Sequence, residues 1–494
     1  MRQPAATTLL TSSVVLLVSL WHSPLAAQVD PTPDLNNILF EAYPLPAADT
    51  PAASAAALPY RSMAPQQPFS FIGESPQLPA VADGGALEAT VASYEASLTS
   101  LEADSDSPFS PDQFEQLLDL GAAYQQLGRY DEALTTLDKA EFLTRINNGL
   151  YGPEQFRVVE QMVETHIANG QPMEAQQKQQ YLLYRQQQFY GADNTALVPA
   201  YERLGDWAMD TFASGIQQSN SIGFTINATR RGRIMTPREV AVRNLDVARF
   251  RYFQAIRTLV LAGDYHNPQL LVLEEKMLQS LYLAAHRIGL MDNPRFYLDG
   301  RTSLTGSRIS LDEFEGNMVA YTEGRNSLRR SLIYQQSNAK SDAVALLQTQ
   351  LQLADWHMLF NRQTEAAAVY ADAWKLAHTP PLDSFAPALL QSAVPQQLPL
   401  FIALPHSRAA LGIANDSEQE FEGYIDVKLT MTRRGDVRRM EVIGKSANAT
   451  GQLERRLRRL VRGAPFRPRL VDGVPVASDE VSVRYYFAEV PQPR

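Results

Sequence analysis

The 494-residue sequence has no cysteine, and its seven histidines are scattered along the chain. Without thiols the protein has no disulfide, no thiolate metal site and no cysteine nucleophile. The histidines form no His-x-x-x-His pair, so the sequence does not predict a zinc site of that kind. We therefore expect no metal and no cofactor, and a fold that is held together by packing alone.

Signals of catalysis are also scarce. The sequence contains no glycine-rich phosphate loop. Residues Ser337 to Lys340 match the Ser-x-x-Lys pattern of penicillin-recognising enzymes, but the Ser-Asp-Asn and Lys-Thr-Gly companions are lacking. We predict no catalytic residue and no enzyme activity. The alternative is a hydrolase whose catalytic domain is the helical region. The net charge of -10 argues against a nucleic-acid partner.

Long apolar runs are few, and the first lies at the N-terminus. Arg2 precedes an apolar run from Val14 to Trp21, which is followed by Pro24 and small residues at 26 and 27. This layout is typical of a secretory signal peptide, residues 1–27. An uncleaved membrane anchor is the alternative, although polar residues interrupt the run and a span needs about 20 mostly apolar residues. The mature protein is predicted to work outside the cytoplasm.

Proline is concentrated directly after this segment. Ten of the 31 prolines fall between Gln28 and Ala82, among many alanines. Such a segment buries too little apolar area to offset its ordering entropy. Residues 28–85 are therefore predicted to be a disordered linker. The alternative for its short apolar patches, Ile38 to Phe40 and Phe69 to Ile72, is that they dock on another part of the protein or on a partner.

The next stretch carries the strongest pattern. In "FEQLLDLGAAYQQLGRYDEALTTLDKAEFL" large and small residues alternate so that two helices can cross closely, with a glycine in the turn. The matching positions are Leu117, Leu120, Gly121, Tyr124, Gly128, Tyr130, Ala133, Leu137 and Ala140. This pattern resembles the tetratricopeptide repeat, whose units need neighbours to cover their faces.

Weaker copies of this pattern follow. They are marked by Met162, His166, Gly170, Ala175 and Leu182, then by Tyr201, Leu204, Gly205, Ala248, Tyr252 and Ala255, and last by Leu353, Asn361, Ala366, Tyr370 and Ala373. Residues 214–240 read as an inserted loop, and residues 268–348 as helical but out of register with the repeat. The sequence predicts a helical-repeat solenoid over residues 86–380, followed by a proline-rich linker over residues 381–415.

The last part of the chain is basic, and its apolar residues recur at every second position instead of at helical spacing. From Phe421 onwards it has 15 Lys and Arg against nine Asp and Glu. Alternating apolar residues predict a strand from Ile425 to Met431, with "VRRMEVIG" as its hairpin partner. An arginine-rich amphipathic helix follows and stops at Gly463 and Pro465. After a Phe-Arg-Pro element and an Asp-Gly turn, "VSVRYYF" predicts a final strand.

This C-terminal region, residues 416–490, is similar to the C-terminal domain of the TonB energy-transducer family. The resemblance lies in "GYIDVKLTMTRRGDVRRMEVI", "APFRPRLVDGVPV" and the closing aromatic strand. It implies a periplasmic location and a domain whose terminal strand pairs with an extended peptide of an outer-membrane receptor. The predicted fold class is therefore α+β, a tetratricopeptide-like α-solenoid followed by a small TonB-like ββαβ domain.

The resemblance places the pairing edge at the terminal strand. An edge strand with free N–H and C=O groups is a template for β-augmentation. The predicted partner-binding residues are Val481, Ser482, Val483, Arg484, Tyr485, Tyr486 and Phe487, with Arg467 and Arg469 as basic neighbours for an acidic partner. The alternative for each arginine is a solvated face.

These patterns predict a function as well as a fold. We expect a periplasmic binding and scaffolding protein of the bacterial envelope that is secreted through a cleaved signal peptide and captures a strand of an envelope or outer-membrane protein. A TonB-type transducer anchored in the inner membrane and facing the periplasm is the alternative. The protein is expected to contact a membrane only if its N-terminal segment is not cleaved. The sequence leaves the oligomeric state open.

Overall fold

In this computed structural model, the structure describes residues 38–44, 84–104, 111, 113–217, 229–230, 233–234, 237–286, 311–338, 342–391, 396–398 and 421–489. The predicted signal peptide, residues 1–27, lies outside these ranges. Among the described helices, none combines the length and the apolar character that crossing a bilayer requires. The described residues also hold no group of acidic and histidine side chains arranged to bind a metal ion.

From Gly84 to Leu390, the described residues are mostly helical. The helices are α1 (Gly84–Asp104), α2 (Gln113–Gln126), α3 (Tyr130–Asn148), α4 (Glu154–Ala168), α5 (Pro172–Tyr190), α6 (Val198–Gln217), α7 (Pro237–Leu261), α8 (Gln269–His286), α9 (Leu311–Ser337), α10 (Ala343–Leu359), α11 (Gln363–Ala377) and α12 (Ala386–Leu390). From α2 to α11, each helix packs against the next one in the chain. This is the tetratricopeptide-like arrangement that the repeat pattern predicts.

Small residues let the two helices of a unit approach closely. A Cβ added at Gly121 of α2 would lie 2.8 Å from the side chain of Leu137 in α3. At the matching position of a later unit, a Cβ at Gly205 would lie 2.4 Å from the Tyr252 ring in α7. Leu137 and Tyr252 are buried. The glycines of the repeat pattern therefore make room for the large buried residue of the facing helix.

Residues 268–348, predicted to be helical but out of register, contribute the helix pair α8 and α9. An ion pair with a buried carboxylate joins the two helices, with half-buried Arg330 of α9 donating to both carboxylate oxygens of Glu274 in α8 at 2.6 and 2.7 Å. Ser327 donates a third hydrogen bond to Glu274 at 2.6 Å. The two helices therefore combine this polar contact with apolar packing, in which Leu273, Leu281 and Leu328 are buried in the same core.

The segment between α6 and α7 is shorter than the inserted loop predicted for residues 214–240. Helix α6 continues to Gln217 and α7 already begins at Pro237. Between them, β2 (Thr229–Arg230) and β3 (Arg233–Ile234) form a small antiparallel ladder. The second helix of this unit therefore begins well before Ala248, the first residue that matches the repeat pattern.

The C-terminal region forms a small antiparallel sheet with one helix. Its elements are β4 (Gly423–Met431), β5 (Val437–Lys445), α13 (Gly451–Gly463), β6 (Arg469–Val471), β7 (Val474–Val476) and β8 (Ser478–Glu489). Of these, β6 and β7 form a separate two-stranded hairpin. Helix α13 buries Leu453, Leu457 and Val461 against the sheet and leaves its arginine-rich face outside. Thr450 caps the helix, since its hydroxyl accepts a hydrogen bond from the Leu453 N–H.

A strand from the other end of the chain completes this sheet. Strand β1 (Ile38–Pro44) lies within the segment predicted to be a disordered linker. The strand order of the sheet is β1, β8, β4, β5. Disorder is therefore wrong for these seven residues. The apolar patch from Ile38 to Phe40 does dock, but its partner strand is more than four hundred residues away and could not be identified from the sequence.

The second predicted linker, residues 381–415, also contains ordered structure. A 3-10 turn (Leu382–Ser384) and α12 follow the last repeat, and Leu382 and Leu390 are buried in the core of that repeat. Farther along, Gln397 forms a β-bridge with Phe466 of the C-terminal region. This segment therefore connects the solenoid and the sheet through contacts with both.

Candidate functional site: the edge of strand β8 and the junction with the solenoid

Strand β8 runs through the middle of the C-terminal sheet. It pairs with β4 on one side, from Gly423 opposite Phe487 to Met431 opposite Ser478. Its side chains alternate between two faces, as the sequence predicts. Val481, Val483, Tyr485 and Phe487 are buried in the core under α13, whereas Ser482, Arg484 and Tyr486 are half-buried on the other face.

Strand β1 occupies the other side of β8. Seven consecutive residues pair antiparallel, from Ile38 opposite Glu489 to Pro44 opposite Val483. The expectation of an open edge at residues 481–487 is therefore wrong, because the chain itself covers that edge. The pairing also establishes that the outer edge of β8 accepts an extended antiparallel segment.

One side chain of β1 enters the core of the C-terminal region. Phe40 is 4% exposed and belongs to the same buried cluster as Val483, Tyr485 and Phe487. Its ring centroid lies 6.5 Å from that of Phe487, directly opposite in the register. An aromatic residue in this position adds apolar burial to the backbone pairing of the strand.

Arg484 is engaged within the sheet. Its guanidinium donates to both carboxylate oxygens of Asp426 on β4, at 2.7 and 2.8 Å, and lies 3.9 Å from the centroid of the Tyr424 ring. The hydrogen bond with Asp426 raises the pKa of Arg484 above its usual value. This arginine therefore links β8 to β4. A partner strand along β8 would find its guanidinium already paired with Asp426.

Arg467 lies in a different place from β8. It is buried at the junction between the sheet and the last repeat, where its Nε donates to Asp355 Oδ1 at 3.0 Å and its Nη2 to Asp355 Oδ2. The Tyr370 hydroxyl donates to the same carboxylate at 2.6 Å. Burial, and then the Asp355 charge, raise the pKa of Tyr370 well above its usual value, so this hydroxyl stays protonated.

Backbone contacts complete this junction. The Arg467 N–H donates to the Gln396 carbonyl at 2.8 Å, and the Leu398 N–H donates to the Pro465 carbonyl at 2.8 Å. The β6–β7 hairpin packs on α11, with Leu470 buried in the core of the last repeat. Arg469 is exposed on this hairpin. The structure thus places Arg467 and Arg469 at or beside the junction, and of the three predicted arginines it places Arg484 alone on β8.

The solenoid offers a second kind of surface. Its second helices, α3 and α5, expose apolar side chains, among them Phe142, Ile146 and Tyr184, each about half exposed. Exposed apolar groups on a repeat solenoid are typical of protein-binding surfaces. Sequence analysis did not select these residues, because the repeat pattern marks the positions that pack inside a unit.

Sequence analysis also missed a partly buried charged cluster between α6 and α8. Lys276 contacts Glu202 at 2.7 Å and Asp206 at 2.8 Å. Burial, and then the Asp206 charge, raise the pKa of the neighbouring Asp210 to about 7. Burial also raises the pKa of Glu275 to about 7. No short motif could have found this cluster, since its members come from two helices.

The raised pKa of Asp210 predicts a pH-dependent stability. Between about pH 4 and pH 7 the native carboxyl keeps its proton while the unfolded one loses it, so the free energy of unfolding falls as the pH rises. Asp210→Asn removes this loss and should raise the free energy of unfolding at pH 8 by about 1–3 kcal/mol, with little effect at pH 4. Urea unfolding at both pH values measures the change. Asp119→Asn on an exposed position of α2 is the control, and an equal gain at both pH values would contradict the prediction.

No protein-family model and no curated protein matches this chain. Solved structures do match at low identity. BtubC (BKLC) from P. vanneervenii is 13% identical, with 59% of this chain and 91% of that chain covered and a TM-score of 0.31. The TPR-like repeats of a kinesin light chain from Podosopora anserina are 14% identical, with 55% of this chain and 97% of that chain covered and a TM-score of 0.31.

Proposed function

We propose that this protein is a binding scaffold of the bacterial periplasm that holds an extended strand of an envelope protein along the outer edge of β8. The observation that carries the proposal is the pairing of β1 with β8, an edge that accepts seven residues in antiparallel register. Backbone hydrogen bonds give affinity to a strand added in this way, and the side-chain positions along it give specificity. The function is one of binding and includes no catalytic step.

The proposed location rests on two features of the sequence. The signal-peptide pattern of residues 1–27 supports export, and the resemblance to the C-terminal domain of the TonB family supports the periplasm as the compartment and an outer-membrane protein as the partner. Since β1 occupies the edge, a partner strand has to replace it. The exposed apolar residues of α3 and α5 supply further surface for contacts with proteins.

A reversible covalent lock tests this function. Leu39 and Ala488 lie directly opposite each other in the β1–β8 ladder. The natural chain has no cysteine, so the double variant Leu39→Cys with Ala488→Cys places a single disulfide across the two strands. We expect the oxidised protein to lose its strand-binding partner from an envelope extract and to recover it after reduction, as measured by quantitative mass spectrometry of the captured proteins.

The single variant Ala488→Cys, treated with the same oxidant and reductant, is the matched control. It should capture the same proteins in both states, because one thiol cannot lock the ladder. A partner list that is unchanged between the oxidised and the reduced double variant would exclude β8 as the capture site. The solenoid would then be the binding surface.

A further inference from the structure

We infer that β1 is a built-in copy of the partner strand, which closes the β8 edge and displays the pattern by which a partner is recognised. This inference rests on the proposed function and adds to it the chemistry of the segment that is bound. The partner segment is extended, pairs antiparallel with β8 and carries an aromatic side chain at the position of Phe40. Four features of the structure support it.

The first feature is the completeness of the pairing. The register between β1 and β8 runs through seven residue pairs without a shift, whereas β8 and β4 lose register near Met431. A segment that only rested against the sheet would not keep such a ladder. The edge of β8 is therefore built to hold a strand of this length.

The second feature is the position that Phe40 fills. Phe40 lies opposite Phe487 and is buried in the core of the C-terminal region, although the rest of that core comes from residues 425–487. Removal of β1 would leave an apolar gap beside Phe487, and a void in a packed core loses its contacts. The gap fits an aromatic side chain of an incoming strand, so Phe40 marks the main specificity position.

The third feature is the period of the strand. In the ladder, Ile38 and Ala42 lie two positions before and after Phe40, opposite Glu489 and Tyr485. Ala42 lies opposite Tyr485, which is itself buried. A small residue therefore follows the aromatic one by two positions. The expected partner pattern is apolar, aromatic and small at every second residue.

The fourth feature is that β1 is replaceable. Among the residues that the structure describes, it is the outermost strand of the sheet and pairs with β8 alone. It ends at Pro44, whose missing N–H limits further pairing at that point. An edge strand of this kind opens more easily than the strands inside the sheet. Because β1 belongs to the same chain, it competes for the edge at an effective concentration of at most about millimolar. A partner strand that binds the edge with higher affinity than β1 can therefore replace it at a lower concentration.

The test uses the full-length chain and a labelled synthetic peptide of residues 36–46, NNILFEAYPLP. Phe40→Ala in the protein weakens the resident strand, and we expect this variant to bind the peptide roughly tenfold or more tightly than the natural chain does. A peptide with alanine in place of its phenylalanine should bind the same variant roughly tenfold or more weakly. Fluorescence anisotropy measures both affinities.

Two controls keep the result interpretable. Phe385→Ala removes an exposed phenylalanine next to α12 and should bind the peptide as the natural chain does. The oxidised Leu39→Cys with Ala488→Cys variant should bind no peptide, and reduction should return binding to the level of the natural chain. This second variant keeps Phe40, so it tests the edge even if Phe40→Ala unfolds the C-terminal region.

Equal affinity for the natural and the alanine peptide would overturn the role of the Phe40 position. Peptide binding that survives the disulfide would overturn the β8 edge as the site. A concentration-dependent dimer of the natural chain, detected by light scattering and abolished by the lock, would make a second copy the occupant and overturn a foreign partner. If the envelope partner is lost on locking but neither peptide binds the reduced chain, the inference fails and the proposed function stands.

Discussion

Asp355→Ala should lower the free energy of unfolding by about 3–5 kcal/mol, because it leaves the charge of Arg467 buried without its partner. Arg467 and Asp355 are 8% and 2% exposed, and the Tyr370 hydroxyl loses its acceptor in the same variant. The pair joins α10 of the solenoid to the segment before β6. We therefore expect the C-terminal sheet to separate from the last repeat before the solenoid unfolds, which urea unfolding with limited proteolysis would detect.

Two comparisons identify the cause. Lys375→Ala breaks the exposed pair between Lys375 and Asp372 on α11 and should cost no more than about 1 kcal/mol. Replacing both buried partners, with Asp355→Leu and Arg467→Met, should cost less than Asp355→Ala alone, since no uncompensated charge remains. A double variant as unstable as the sum of its single changes would show that the two residues act independently, against this prediction.

Gly435→Ala should lower the free energy of unfolding by about 2–4 kcal/mol, as the sum of a backbone cost and a steric cost. Gly435 lies in the turn between β4 and β5 with φ +78°, which favours glycine. An added Cβ would lie 1.8 Å from the carbonyl oxygen of Phe466, whose N–H donates to the Gly435 carbonyl at 3.0 Å. The turn and the segment before Arg467 cannot stay in place together in this variant.

Gly128→Ala is the matched control for this prediction. Gly128 has φ +73°, and an added Cβ there would have no neighbour within 4 Å. It should therefore cost only the backbone part, about 1 kcal/mol. Thermal unfolding followed by circular dichroism compares the two variants. Equal losses of stability would mean that the contact with Phe466 contributes nothing.

These two sites give the proposed scaffold a fixed geometry. The buried pair at Asp355 and the turn at Gly435 both act on the segment around Phe466 and Arg467, which connects the sheet to the last repeat. A strand bound along β8 would therefore be held at a set position relative to the helices. Loosening the junction should reduce any binding that uses the sheet and the solenoid together.

The elements of the C-terminal region could be predicted because their signals are local. Alternating residues from Ile425 and a separate apolar face on "LERRLRRLV" correspond to β4 and α13, and "VSVRYYF" lies in β8. The repeat glycines at 121 and 205 likewise lie where helices cross closely. In these cases the residues that define an element are also the residues that pack.

The partners of these elements could not be predicted in the same way. The strand register places Phe40 opposite Phe487, and at the junction the side chain of Arg467 pairs with that of Asp355. Both contacts join residues more than a hundred positions apart, and a single sequence records no such proximity. For the same reason Arg467 was assigned to partner binding, whereas it holds the sheet on the solenoid.

The sequence by itself determined the helical repeats, the strands β4, β5 and β8 and the helix α13 of the C-terminal region, because period and turn chemistry act over a few residues. Only the tertiary structure decided which strand covers β8, where Arg467 finds its carboxylate and how the sheet sits on the last repeat. Those contacts depend on long-range closure of the chain, whose free energy is set by the whole fold and not by any local pattern.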